Sequence, residues 1–237
     1  MTETIKPGGG EALVVRGGWD GHQPVETTEL FIPFLRANGY NVRIESDASV
    51  YADADYMAGV DLVLHCTTMD TAASAEIQGL RTAVAAGTGL AGWHGGIADS
   101  YRNSAEFLQL VGGQFVAHPG RPVHERRGDG RDGFARYTVD MAPAAAVHPI
   151  TAGIDSFELD TEQYWVLSDD YNDILATTTL AAKDGDPWGR PVTCPAIWTR
   201  SWGLGKVFVA TPGHTVEDLN NPKLKTIIER GLLWASR

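Results

Sequence analysis

Two kinds of segment, distinguished by the spacing of their apolar residues, alternate along the first half of the chain. Short apolar runs bounded by glycine or polar residues predict buried strands. Segments with apolar residues three and four positions apart predict helices between them. The predicted strands cover residues 12–16, 41–45, 60–66 and 88–93, and the predicted helices cover 26–38, 71–86 and 106–111. This alternation is typical of a parallel sheet with helices on both faces.

Individual residues refine the ends of these helices. Pro33 lies inside the first helical segment, so we expect that helix to kink or to begin late. Thr71 is a candidate N-cap for the second helix, and Gly87 is its expected stop.

The second half of the chain is richer in β-branched and aromatic residues. Its predicted strands cover 134–139, 157–167, 174–179 and 196–210, the last with a turn at 202–205 that indicates a hairpin. Asn221 and Pro222 have the pattern of an N-cap followed by a first-turn proline, which predicts a final helix. We therefore expect a flexible segment at 1–11 and a single α/β domain over 12–237, mostly parallel with a β-rich second half.

Composition and charge narrow the classes of function. The 237 residues include 43% hydrophobic residues, and 19 basic residues face 30 acidic ones for a net charge of −11. A nucleic-acid partner is not expected, because phosphate binding needs a basic surface. No apolar run reaches the length of a membrane span, and the N-terminus lacks a signal-peptide core. Two cysteines make no disulfide framework, so a cytoplasmic location is expected.

Four of the seven histidines follow predicted strands. They are His22, His65, His94 and His214. Ligands of open parallel sheets bind at the carboxyl ends of the strands, so these imidazoles are expected to line one polar pocket. Any single one of them is also compatible with an ordinary hydrogen-bonded loop residue.

The run 92–96 (GWHGG) has the pattern of a strand, a sharp turn and a helix. In a nucleophile elbow of this kind the central residue projects from a strained turn, and flanking glycines avoid clashes. Here the central residue is His94, which is suited to acid–base chemistry or metal binding rather than acyl transfer. A glycine turn without chemistry remains the alternative.

Further candidates come from polar residues near these motifs. Glu162 and Tyr164 share one face of a predicted strand, as a candidate base or ligand and its hydrogen-bond partner. Asp99 is either a helix cap or a pocket residue, and His118 is either a turn former or a pocket residue. Cys66 is a candidate thiol, although buried strand cysteines are usually inert.

Metal binding is left open by the sequence. His22, His65, His94 and His214, together with Glu162, are compatible with a nitrogen–oxygen site for a divalent metal such as zinc. No HExxH motif or close pair of histidines supports it.

Six motifs together resemble the ThuA-like (trehalose utilisation) family over about residues 12–234. They are 17–24 (GGWDGHQP), 92–96 (GWHGG), 112–119 (GGQFVAHP), 148–154 (HPITAGI), 161–164 (TEQY) and 207–214 (VFVATPGH). The resemblance implies a class I glutamine amidotransferase-like fold, a three-layer sandwich of flavodoxin-like architecture. True glutamine amidotransferases carry cysteine at the elbow and a triad histidine after a late strand. This chain has His94 at the elbow and His214 at the second position, so glutaminase activity is not expected.

The resemblance also implies a role in the catabolism of trehalose and related disaccharides, often in 3-keto form. The first hypothesis is therefore an enzyme acting on a disaccharide or keto-sugar by isomerisation, elimination or glycoside cleavage. His94 or Glu162 is the candidate base, and His214 is the candidate oxyanion partner. The candidate substrate-binding residues are Trp19, Asp20, His22, His65, Trp93, Asp99, His118 and Tyr164.

Two other hypotheses stay open at this point. The same pocket is compatible with a non-catalytic sugar-binding module, and Cys66 is compatible with an amidohydrolase-like thiol enzyme. The expected partner is a small sugar and no nucleotide cofactor is expected, while a homo-oligomer is left open.

Overall fold

The computed structural model describes residues 9–237, in which two groups of strands build the fold. The strands are β1 (Gly10–Gly18), β2 (Tyr40–Glu45), β3 (Leu62–Thr68), β4 (Gly89–Trp93), β5 (Gly113–Ala117), β6 (Phe134–Met141), β7 (Phe157–Glu162), β8 (Trp165–Ser168), β9 (Asp173–Leu180), β10 (Val192–Trp202) and β11 (Gly205–Ala210). The helices are α1 (Pro24–Glu29), α2 (Ile32–Ala37), α3 (Ala54–Ala58), α4 (Ser74–Ala85), α5 (Gly95–Ala98), α6 (Ala105–Val111), α7 (Val216–Leu219) and α8 (Pro222–Ala235).

Within that range, nine strands form one mixed sheet in the order β2-β1-β3-β4-β11-β10-β9-β6-β7. The first five are parallel to their neighbours, as where Val14 pairs with both Ile44 and Leu64. The remaining contacts, from β11 through β10, β9 and β6 to β7, are antiparallel. Strands β5 and β8 pair separately. The expected α/β sheet is confirmed in this mixed form, in which the second half of the chain extends the parallel sheet by antiparallel strands.

Helices cover both faces of the parallel half. On one face, α2 and α8 bury apolar residues such as Leu35 and Ile227 against the sheet. On the other, α4 and α6 bury residues such as Leu80 and Phe107. Strands β1, β3 and β4 between them are buried on both faces, which is why they have continuous rather than alternating hydrophobic runs.

The ends of several elements differ from the sequence prediction. The segment 26–38 forms two short helices instead of one, because Pro33 lies in the first turn of α2. Thr71 is not a cap: α4 begins at Ser74, and the Glu76 carboxylate accepts a 2.6 Å hydrogen bond from the backbone N–H of Ala73. The predicted strand 157–167 is interrupted, and β7 and β8 separate at residues 163–164. The closing hairpin and the cap at Asn221 are confirmed.

The predicted flexible segment 1–11 lies outside the described residues as far as residue 8. Gly10 and Glu11 belong to β1, where Glu11 donates a backbone hydrogen bond to the Asp61 carboxylate. Among the helices of the described chain, none combines the length and apolar character needed to cross a bilayer.

Candidate active site at the elbow after strand β4

The turn between β4 and α5 places His94 in a strained backbone conformation. Its φ is 49° and its ψ is −142°, and its N–H donates a 2.7 Å hydrogen bond to the Ala210 carbonyl of the adjacent strand. A non-glycine residue with positive φ costs free energy, which the surrounding structure must offset. The elbow predicted from the sequence is therefore present, with an imidazole at its tip.

Glycines beside His94 are required by close packing. A Cβ on Gly92 would lie 2.4 Å from the His65 carbonyl oxygen, and one on Gly95 would lie 2.5 Å from the His22 ring. A Cβ on Gly96 would lie 2.9 Å from Cys66. The expectation that side chains would clash at these positions is confirmed.

The hydrogen bonds of the His94 ring define its tautomer. Nδ1–H donates to the Thr211 carbonyl at 2.8 Å, since a carbonyl oxygen only accepts. Nε2 is then left to accept, and the Tyr164 hydroxyl donates to it at 2.7 Å. The two rings stack with centroids 4.1 Å apart. The His94 ring thus presents a lone pair to the interior of the site.

Glu162 lies at the centre of a group of imidazoles. Its Oε2 is 3.2 Å from His94 Nε2, 3.4 Å from His214 Nδ1 and 3.9 Å from His22 Nε2. Its Oε1 is 3.7 Å from Nε2 of His118. Residues distant along the chain therefore meet around one carboxylate.

Separate elements supply these side chains. His22 lies in a short turn after β1, and its Nδ1 is 3.0 Å from the Thr68 hydroxyl at the end of β3. His214 follows β11, as His94 follows β4. Glu162 ends the antiparallel strand β7, opposite Phe134. The carboxyl ends of parallel strands thus contribute the imidazoles, and the antiparallel extension contributes the carboxylate.

Burial and charge act against each other in this cluster. Burial, together with the neighbouring imidazoles of His94 and His214, lowers the pKa of His22 to about 2. Burial also lowers the pKa of His94, although Glu162 opposes that shift. For Glu162, burial favours the protonated form, but the adjacent imidazoles of His214 and His94 outweigh it and hold the pKa well below its usual range. The Glu162 carboxyl group is therefore held in its charged form.

Exposure is graded from the interior to the surface. The His94 side chain is 2% exposed, while those of His22, Glu162 and His214 are 7–10% exposed. The His118 side chain is 38% exposed and Trp19 is 49% exposed. Trp19 contacts the His22 ring edge-on, with centroids 4.8 Å apart. A ligand entering from solvent thus meets Trp19 and His118 before the carboxylate.

Several predicted site residues lie elsewhere, and those expectations are corrected. His65 is buried among aromatic rings, and its two ring nitrogens pair with the hydroxyls of Tyr51 and Ser100. Trp93 is buried in the core against Phe31, so it presents no face to a ligand.

Asp99 and Cys66 also have other surroundings, whereas the role predicted for Asp20 stays a prediction. Asp99 is buried and forms a two-point ion pair with Arg102, at 2.5 and 2.7 Å. Asp20 is exposed on the turn that leads to His22. Cys66 is buried, and burial raises the pKa of its thiol to about 12, which argues against a thiol mechanism.

Sequence reasoning missed the groups that orient the imidazoles. The Thr68 hydroxyl and the Thr211 carbonyl hold the Nδ1 atoms of His22 and His94. Phe134 packs edge-on against the His214 ring, with centroids 5.4 Å apart. Thr68 lies two residues beyond the predicted strand 60–66, which was a usable signal, whereas a backbone carbonyl gives no signal in the sequence.

The fold and the site together define an α/β protein with a histidine–glutamate centre at a strand–helix elbow. A family model described as trehalose utilisation, ThuA, matches residues 11–235. The chain therefore belongs to the ThuA family, as the resemblance of its motifs implied. Membership of this family gives the protein a role in carbohydrate metabolism.

Solved structures agree with the fold. A ThuA-like protein from Bacteroides uniformis is 17% identical, with a TM-score of 0.69 over 95% of this chain and 90% of that one. A ThuA-like protein from Parabacteroides merdae is 19% identical, with a TM-score of 0.69 over 96% and 90%. A cytoplasmic protein from Salmonella typhimurium is 14% identical, with a TM-score of 0.59 over 96% and 100%. No curated protein matches significantly.

Proposed function

We propose that this protein is an enzyme that acts on a disaccharide or keto-sugar, with Glu162 as its base. The observation that carries the proposal is the convergence of four imidazoles on that one carboxylate. Enzymes that remove a proton beside a carbonyl commonly use a carboxylate base with nearby donors that stabilise the developing enolate.

The two oxygens of Glu162 have different surroundings, which supports this division of roles. Oε2 faces the buried rings of His94 and His214, while Oε1 faces the partly exposed ring of His118. His94 is then a positioning residue whose ring borders the Oε2 side of the carboxylate, and Oε1 is the oxygen that accepts the proton. His118 is placed to donate to a sugar oxygen.

A single first step accounts for the three reaction outcomes. Glu162 removes the proton from the carbon next to a ketone, and the electron pair of the C–H bond moves to form the enolate. Return of the proton to a different atom gives isomerisation. Alternatively, the enolate collapses to an enone as the glycosidic C–O bond at the neighbouring carbon breaks, and the leaving oxygen takes up a proton and departs as an alcohol. Addition of water to the enone then completes net hydrolysis of the glycoside.

The opening of the site suits a sugar. Trp19 offers an exposed indole face of the kind on which pyranose C–H groups stack. The strand order of the parallel half also supports the expected relation to flavodoxin-like and class I glutamine amidotransferase-like folds, since its five strands follow the order 2-1-3-4-5 along the chain. In this proposal His94 replaces the thiol of the amidotransferases and changes the chemistry of the elbow.

Proton NMR in D₂O tests the proposal directly. The protein is incubated with a 3-keto derivative of trehalose, and solvent deuterium is followed at the carbons beside the ketone. We expect the wild-type protein to catalyse exchange or product formation, and Glu162→Gln to lose it. His124→Ala is the matched control, because that imidazole is exposed.

Calorimetry on the same samples separates the enzyme from the binding module. Tight binding of the keto-sugar without exchange or product would favour the module and contradict the proposal. Exchange at the wild-type rate by Glu162→Gln would overturn the role of the carboxylate.

A further inference from the structure

Four side chains of the cluster each bring one possible metal-ligand atom into a compact group. These atoms are Nε2 of His22, Nε2 of His94, Oε2 of Glu162 and Nδ1 of His214, and all lie within 4.8 Å of one another. We infer that they bind a divalent transition metal ion, with Zn²⁺ the best fit. The inference rests on the proposed function in that both use the same side chains, and the experiment below separates them.

Three of the four separations below are close to those of a tetrahedral site, and the one to His22 is longer. Glu162 Oε2 lies 3.2, 3.4 and 3.9 Å from the nitrogens of His94, His214 and His22, and His94 Nε2 lies 3.3 Å from His214 Nδ1. Zinc bonds of about 2.0–2.1 Å in a tetrahedron require ligand atoms roughly 3.3–3.4 Å apart. An ion therefore fits between the four atoms with small side-chain movements.

Two acceptor atoms of the cluster face each other with no hydrogen between them. A cation would relieve the repulsion between them. His94 uses its Nδ1–H on Thr211, so its Nε2 offers a lone pair, and the Glu162 carboxylate only accepts. These two acceptors face each other at 3.2 Å. The Tyr164 hydroxyl supplies one proton to His94 Nε2. Coordination by His94 would release that hydroxyl to donate to a bound sugar.

The outer partners of the imidazoles follow the usual arrangement of metal-ligating histidines. Such a histidine donates its second nitrogen to a carbonyl, a carboxylate or water, which fixes the ring and its tautomer. His94 Nδ1 does so on the Thr211 carbonyl, and His22 Nδ1 lies 3.0 Å from the Thr68 hydroxyl. Both rings are thereby turned with Nε2 toward the centre.

The donor set favours one class of metal. Three imidazole nitrogens and one carboxylate oxygen suit zinc and its neighbours, whereas Mg²⁺ and Ca²⁺ prefer oxygen ligands. In this position a metal ion would polarise the carbonyl of the sugar beside Glu162.

Calorimetric titration of the chelator-treated full chain tests the inference. We expect Zn²⁺ to bind at one ion per chain, Mg²⁺ not to bind, and Co²⁺ to give the intense visible absorption of a tetrahedral site. His214→Ala should lose this binding, while Thr68→Val, which keeps every ligand, should weaken it about tenfold. His124→Ala should bind like the wild-type protein, and circular dichroism confirms that each variant is folded.

Failure of the inference is distinguishable from failure of the proposed function. Absence of Zn²⁺ binding, or equal affinity in the wild-type protein and folded His214→Ala, would overturn the metal site. Turnover of the keto-sugar at full rate by protein that does not bind Zn²⁺ would overturn the metal site and leave the proposed function standing. Metal binding without turnover of any keto-sugar would support the site and overturn the proposed function.

Discussion

Two neighbouring parallel strands carry buried imidazoles with opposite surroundings. His65, in β3, pairs its nitrogens with the hydroxyls of Tyr51 and Ser100, at 2.8 and 2.9 Å, within an aromatic core. His94, after β4, presents Nε2 to Glu162 and His214. Both rings are buried and burial lowers the pKa of both, to about 3 for His65.

The difference between them lies in their partners. Neutral hydroxyls satisfy both nitrogens of His65, so its ring has no free lone pair for chemistry. His94 has a charged carboxylate and further imidazoles within reach. Position at a strand end therefore indicates where a site lies, and the charge of the neighbours indicates which histidine belongs to it.

The largest effect is expected from His94→Gln. If the elbow ring holds Glu162 in place, turnover of a keto-sugar per folded molecule should fall by about 10²–10⁴-fold. The free energy of unfolding should change by about 1 kcal/mol or less, because the amide can still donate to Thr211. Steady-state kinetics and urea denaturation measure the two quantities. Full turnover by this variant would show that His94, like His65, has only a structural role.

His65→Leu should have the opposite effects, with a loss of stability and no change in turnover. The substitution leaves the hydroxyls of Tyr51 and Ser100 unpaired in the core, which should lower the free energy of unfolding by about 2–4 kcal/mol. Turnover per folded molecule should stay at the wild-type value. A loss of turnover in the folded variant would contradict the purely structural role.

The pH dependence of the free energy of unfolding isolates the contribution of His65 in the same variant. The pKa of His65 falls from 6.5 in the unfolded chain to about 3 in the folded one, so the unfolded state takes up a proton first as pH falls. The contribution of His65 to stability is therefore lost between pH 6.5 and 3, at up to about 1.4 kcal/mol per pH unit. Stability curves of His65→Leu should be shallower by that slope in this window.

Backbone strain at His94 predicts a smaller effect, which is a difference in stability between two variants of that residue. His94→Gly and His94→Ala both remove the ring, but only glycine adopts a φ of 49° without strain. We expect the glycine variant to be more stable than the alanine variant by about 1–2 kcal/mol. Thermal unfolding of the pair measures this difference. Greater stability of the alanine variant, as in an ordinary helix or strand, would show that the turn stores no strain.

No effect on turnover is expected from treating Cys66, the neighbour of His65 in β3, with a thiol reagent. Burial raises the pKa of this thiol to about 12, so iodoacetamide should not modify it in the folded protein at neutral pH. Mass spectrometry of treated protein and an activity assay check this outcome. Rapid alkylation accompanied by loss of turnover would revive the thiol mechanism.

The sequence predicted the parallel half well because its signals are local. Continuous apolar strands, glycine stops and the proline of α8 each act within a few residues. The elbow was predictable for the same reason, since Gly92, Gly95 and Gly96 surround His94. The carboxyl ends of the parallel strands lie along one edge of the sheet, and this edge brings together His22, His94 and His214, as expected for parallel strands.

Long-range packing set the limits of that prediction. Glu162 and Tyr164 reach His94 although β7 ends between them, so their common strand face was not the reason. His65 has the same local pattern as His94, and only the tertiary positions of Tyr51 and Ser100 distinguish it. Trp93 belongs to the core because Phe31, which precedes α2, packs against it, and strand periodicity does not reveal this contact.

The most direct test of the Glu162-centred site compares two variants in one assay. Solvent-deuterium incorporation into a 3-keto derivative of trehalose is measured for Glu162→Gln and His65→Leu, each scaled to its folded fraction. The structure predicts that Glu162→Gln loses exchange and that His65→Leu keeps the wild-type rate. Equal rates in the two variants, whether high or low, would contradict the assignment of the reaction to this cluster.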